Sequence, residues 1–360
     1  MTNLTHASRQ LFGRSPDERF ASMQALAEHC RTQKAASVDR WQPPQHLCAA
    51  AKDDRLVLTA GSDGAFELND WSFNQLCNLA RVSKDTVNRL APETAARVFG
   101  ETMPSGQKPM QLLTTGSSIR SIHGVAYTRL WNLDLVNVIR EYATDFQPPQ
   151  PGCNGGTGLY AGEQDMFCFM IDPTGWAEID GQAFAPGFFA WNSEVGKRSI
   201  GISTFWFQAV CQNHIVWDAV DVVEVTRKHT AGVHSALGDV RRTLETLVQR
   251  RDERRDGFVR LMQKAMKEKL GADADEVAKV LGKQGINRQL AKQALELARQ
   301  NGAFTIFALV DALTRLAQQC KNAGDRLDAD QQAARLFDLV SPASFPSQNF
   351  APAAELAVAT

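Results

Sequence analysis

The chain has 360 residues, of which 44% are hydrophobic and 22% charged, with a formal net charge of −1. That length carries a sizeable core and one large or two smaller domains. The near-zero charge excludes a whole-molecule pull toward nucleic acid or membrane, so any polyanion site has to be a local patch.

Residues 1–50 read as a polar arm. Ser15-Pro16-Asp17-Glu18 has the chemistry of a helix start, and Phe20, Met23, Leu26 and Ala27 then share a helical face before Trp41-Gln42-Pro43-Pro44 ends the arm. A domain of mixed α and β character is expected over 51–235. Arg55–Ala60 is a strand, and Gly61-Ser62-Asp63-Gly64 a turn. Leu68-Asn69-Asp70 leads into a helix capped by Asn69 or Asp70, with Phe73, Leu76, Cys77 and Ala80 inward. A second helical piece starts near Ser83. The pair has the outline of a helix-turn-helix, but a packed helical pair is the plainer expectation.

Gln107–Leu130 reads as a β-hairpin: Met110–Thr114, a turn at Thr115-Gly116-Ser117, and a return over Ser118–Arg129. Strict alternation on the return places Ile119, Ser121, His123, Val125, Tyr127 and Arg129 on one face and Arg120, Ile122 and Ala126 on the other. Arg120 is then either paired at a core edge or part of a groove. Asn132–Tyr142 is predicted helical, Gln147–Gly158 a Pro/Gly-rich connection, and Glu163–Asp172 and Gln182–Trp191 strands. The second strand leads into a hairpin turning at Asn192-Ser193-Glu194-Val195-Gly196. Beyond it, alternation puts Arg198, Ile200, Ile202 and Thr204 on one side and Lys197, Ser199, Gly201 and Ser203 on the other. The second set is a smooth polar face led by a cation. Phe205–Trp217 fits strand or helix equally.

Helical spacing dominates 236–340, through Val240, Leu244 and Leu247, then Phe258, Leu261 and Met262, and further helices broken at Gly282, Gly285 and Asn301-Gly302. Arg227–Lys269 holds twelve basic against six acidic residues. Charge-paired solvated helices explain this run more simply than a phosphate-binding face. Asp328–Val340 is a last short helix, and 341–360 a Pro/Ala/Ser-rich tail expected to be loose. The fold class is therefore α+β, an antiparallel hairpin sheet packed with helices, followed by an all-α C-terminal region.

No motif for chemistry survives inspection. Cys211-Gln212-Asn213-His214 has half of a zinc spacing without the other half, and His229 and His234 are five apart. Ser193 lacks the nucleophile-elbow glycines, and Asp325, Asp328 and Asp330 lack the glycine and closing glutamate of a calcium loop. Neither a metal nor another cofactor is expected, although catalytic groups converging in space are not visible this way. The seven cysteines are scattered without a C-x-x-C pair, as expected of reduced thiols in a cytoplasmic protein. No apolar run approaches the ~20 residues of a membrane span, and none resembling a leader opens the sequence.

Asn192–Gly196, Ile200-Gly201-Ile202 and Val210–Val216 together resemble the central signature of phage- and plasmid-borne proteins that share a domain of unknown function. Ser118–Ile122 with Tyr127, Leu130 and Asn132 resembles their upstream strand block. Ala303-Phe304-Thr305 with Asp311–Thr314 resembles their C-terminal helix. His214 stands where the pattern leads us to expect glycine. The resemblance implies a mobile-element protein akin to the single-strand annealing proteins of the RecT, Erf and Redβ class. Those are homo-oligomers that hold single-stranded DNA in a basic groove without catalysis. On this reading Arg120, Arg129, Lys197, Arg198, Arg227 and Lys228 are the groove cations and Tyr127 a base-stacking ring. A metal-dependent nuclease or other nucleic-acid enzyme is the alternative, and a protein-binding regulatory module of a mobile element a third.

Overall fold

The computed structural model describes residues 18–149, 157–179, 181–208, 214–216, 223–300, 304–319 and 336–340. The chain divides into two compact units. One comprises 2–215 with 221–255, the other 216–220 with 256–360. Both predicted characters are present, α+β in the first unit and helical in the second.

Two sheets build the first unit. The first has the order β1 (Ser37–Gln42), β5 (Met110–Thr115), β6 (Ser118–Gly124), β4 (Ala65–Leu68), β3 (Arg55–Ala60), β2 (Leu47–Lys52). Its neighbours are antiparallel except β4 and β6. Helices α2 (Asp70–Ala80) and α4 (Pro92–Thr102) supply Leu76, Cys77, Ala80 and Phe99 to a core completed by Leu58, Phe66, Leu112, Ile119 and Ile122 of the sheet. Each of the Leu, Ile and Phe side chains here contributes roughly 1.5–3 kcal/mol. Asn69 caps α2 by accepting from the Ser72 amide at 2.8 Å, and Ser83 caps the single turn α3 (Lys84–Val87). That turn is too short for a recognition helix, so the packed-pair reading holds.

The second sheet has the order β12 (His214–Val216), β11 (Ile200–Gln208), β10 (Gln182–Asn192), β8 (Met166–Ile171), β7 (Leu159–Ala161). β13 (Glu224–Arg227) also pairs with β11, and β9 (Ala177–Ile179) with β10. Alternate residues Met166, Cys168, Met170, Phe188, Ala190, Ile200 and Ile202 pack with α1 (Met23–Ala35), α5 (Asn132–Tyr142) and α6 (Ser235–Gln249). Helix α1 starts later than its Pro-Asp-Glu sequence predicts. Ser22 is the cap, accepting from the Ala25 amide at 3.1 Å, and residues 15–17 lie outside the described part.

The opposite face of the second sheet is aromatic and equally buried, with Phe169 stacked on Phe205 at 4.4 Å and Phe189 on Trp191 at 5.1 Å. Glycines make this packing possible. A Cβ on Gly201 would stand 2.3 Å from the Trp191 ring, and one on Gly187 2.6 Å from Phe205. This corrects the expected smooth face: Gly201 lies beneath the Trp191 ring and Ser203 is fully buried, so both are closed to a nucleotide strand. The hairpin turn is also longer than the alternation suggests. Strand β10 ends at Asn192 and β11 begins at Ile200, so Lys197, Arg198 and Ser199 belong to the turn and not to the strand.

The charge run falls on α6 and α7 (Arg251–Lys267), where local pairs absorb most of it. Arg241 meets Glu245 at 3.0 Å, Arg250 meets Glu253 at 2.8 Å, and Arg255 meets Asp252 at 2.9 Å. In the second unit α8 (Ala274–Lys283), α9 (Arg288–Gln300) and α10 (Ile306–Gln319) follow the predicted breaks. The 328–340 helix and the 341–360 tail lie outside the described residues, except for Leu336–Val340. Among the described cysteines Cys30, Cys77 and Cys168 are buried, Cys48 is exposed, and all four are free.

Candidate nucleic-acid interface

The β10–β11 turn is the meeting point of the predicted site. Its Glu194 carboxylate is buried and accepts from Arg120 Nη1 at 2.7 Å and from the Asn132 amide, at the start of α5, at 3.1 Å. The second contact uses the positive end of the helix, where an anion is favoured. The Glu194 carbonyl accepts from Tyr127 Oη at 2.9 Å and from Arg129 Nη1. Arg129 in turn grips Asp39 of β1, with Nη2 to Oδ1 at 2.7 Å and Nε to both carboxylate oxygens at 3.1 Å. Val195 presents its carbonyl to Trp71 Nε1 and His123 Nε2, both at 2.9 Å. Asn192 Nδ2 donates to the Leu130 carbonyl and to Asn132 Oδ1.

Gly196 lies within the turn at φ +73°, a conformation natural to glycine. A Cβ there would lie 2.6 Å from the His123 ring and 2.9 Å from Tyr127. Those two rings stack 3.7 Å apart, and His229 lies 5.4 Å from Tyr127. Burial, helped by the Arg129 charge, pushes both imidazoles down to about 4, against the raising effect of the Val195 and Thr128 carbonyls. Both are neutral near pH 7. Burial likewise drives the Tyr127 hydroxyl upward.

Arg120, Arg129 and Arg198 are thus engaged internally, the last by Asp165 at 2.6 Å. Of the two fates open to Arg120, pairing is the one found. A β-bulge is the reason. The β5–β6 register shifts between Leu113 and Thr114, which pair with Ser121 and Ile119, so Arg120 is the extra residue and strict alternation fails there. Strand β6 also ends at Gly124, which corrects the expected return to Arg129. Tyr127 and Arg129 lie beyond it, and the Tyr127 ring stacks with His123 and His229, not with an exposed neighbour.

Lys197, Arg227 and Lys228 are exposed. Lys197 lies 4.5 Å from the centre of the Trp71 ring. Arg227 is opposite Ile200 in the sheet and touches Asp239 at 3.3 Å, with 56% of its side chain exposed. Lys228 follows it and has no ion pair among the described residues. Exposed Val125 sits in the neighbouring turn that leads to Tyr127. The residues that sequence reasoning missed are Asp39, Trp71, His123, Glu194 and His229. The available signal was an acid, Glu194, set between the Phe/Trp run of β10 and the apolar β11. A charge in such surroundings calls for a buried partner. Among the described residues no group of three or more His, Cys, Asp or Glu side chains is placed to hold a metal, and no helix is long and apolar enough to cross a membrane.

The model of a domain of unknown function, DUF932, matches residues 157–336, half of the chain. The chain belongs to that family, whose match begins just before β7 and takes in the Asn192–Gly196 turn and the helices that follow. No curated protein and no solved structure matches the chain.

Proposed function

We propose that the protein binds single-stranded DNA, without catalysis, on the rim of the Glu194 junction, and that it works as a homo-oligomeric annealing protein of a mobile element. One observation carries the reading. Lys197, Arg227 and Lys228 project to solvent from adjoining segments, while the arginines behind them are fixed by acids. The buried network then has a positioning role: it holds the two cation-bearing segments against each other. Phosphates bind the three cations, and exposed Val125 offers bases an apolar neighbour. The cations are few, so binding is moderate and falls with salt.

Filter binding of single- and double-stranded DNA tests this. Changing Lys197 and Lys228 together to Glu is expected to weaken single-strand binding by at least about tenfold, as expected from reversing two phosphate contacts. The unfolding midpoint should fall only slightly, because both side chains are exposed and the contact of Lys197 with the Trp71 ring is worth about 0.5–1 kcal/mol at such a site. An affinity equal to that of the unaltered protein overturns the reading. Light scattering is expected to give a multimer; a strict monomer removes the oligomeric part.

A further inference from the structure

The second unit contains a cleft of about 410 Å³ between α8 and α9. Its walls have two characters. Ala278, Ile286, Leu295 and Phe304 give an apolar surface, and Arg288, Lys292 and Arg299 give a cationic one. These three cations stand at i, i+4 and i+11 of α9, close to a whole number of turns apart, so they form one row. None of them has an ion pair among the described residues, whereas Arg40, Arg55, Arg97, Arg120, Arg129 and Arg198 of the first unit each meet a carboxylate. Arg288 is also the first residue of α9, and that first turn has no acid. A cation at the positive end of a helix is unfavourable on its own account. Asn287 caps this end by accepting from the Leu290 amide at 2.8 Å, but it brings no charge, so an anion seated beside Arg288 and Lys292 still relieves the row of like charges.

We propose that this cleft seats one nucleotide of a single-stranded nucleic acid. Its phosphate lies at Arg288 and Lys292, one turn apart, Arg299 two turns further on meets the next phosphate of the strand, and the base lies on Ala278, Ile286, Leu295 and Phe304. The volume suits a small ligand and not a duplex, since such sites span roughly 300–1,000 Å³. Asp275 and Glu296 share the walls. They favour a ligand with amino or hydroxyl donors over a bare phosphate. The ligand class is the one proposed for the rim, but the residues are different and lie in the other unit.

The experiment uses the full chain and fluorescently labelled oligo(dT), read by anisotropy across a salt series. It compares the unaltered protein with Lys292→Glu/Arg299→Glu and with Lys197→Glu/Lys228→Glu, each checked by its unfolding midpoint. The cleft variant is expected to bind at least about tenfold more weakly, with a shallower salt slope. Loss in the cleft variant alone upholds the cleft and sinks the rim. Loss in the rim variant alone does the reverse, and no binding by the unaltered protein overturns both. Calorimetry with thymidine monophosphate and inorganic phosphate tests the base. Equal affinity for the two, or monophosphate binding that survives Lys292→Glu/Arg299→Glu, overturns the cleft proposal.

Discussion

His123, half-buried, and His229, buried, lie near Tyr127 and behave as neutral side chains. Each ordinarily titrates near 6.5 and is pushed down to about 4 in the folded protein. Between those values the unfolded chain binds more protons than the folded one. Stability is therefore expected to fall as pH drops from about 6.5 toward 4, and to be insensitive to these groups above 6.5. His123→Gln keeps a donor for the Val195 carbonyl but does not titrate. Thermal melts across that range should show a flatter profile for this variant than for the unaltered protein; an identical slope contradicts the assignment. Little of this was legible in the sequence. The partners of Arg120 and Arg129 stand 74 and 90 residues away along the chain, at Glu194 and Asp39. No local pattern of charges reports a pairing at that distance.

Among the elements, those set by local chemistry were readable. Strand β3 and helix α5 run over Arg55–Ala60 and Asn132–Tyr142, as their periodicity predicts, and Asn69 and Ser83 cap helices because their side chains satisfy open amides. What alternation missed were the places where the backbone leaves its period. The bulge at Arg120 moves one residue out of register, which reverses the side a side chain faces. The seven-residue interval between β10 and β11 takes Lys197 off the strand it was expected to lead. Strand β11 illustrates a further limit: small polar residues mark a solvent face in one sheet and the seat of a Trp ring in another. Gly201→Ala places a methyl 2.3 Å from the Trp191 ring and 2.6 Å from the Val225 carbonyl. The expected loss is about 1–3 kcal/mol, as in other overpacked sites. Urea unfolding measures it; a loss below a few tenths of a kcal/mol would mean that the ring can move aside.

For the molecule as a whole, a net charge of −1 and widespread ion pairing limit how steeply any nucleic acid can be held. Six cations face outward at the two proposed contacts. At about 0.7 counterions released per phosphate on a single strand, the logarithmic salt slope should be no steeper than about −4. A markedly steeper slope in the binding titration would require cations other than these. The Glu194 junction has a consequence in time as well. It joins positions 62 to 74 residues apart, so it can close only after the hairpins and helices between them have drawn near. Glu194→Gln, which leaves Arg120 buried without its counter-charge, is expected to cost about 3–5 kcal/mol. Stopped-flow mixing should assign that loss to faster unfolding with an almost unchanged refolding rate, the behaviour of a latch that engages last.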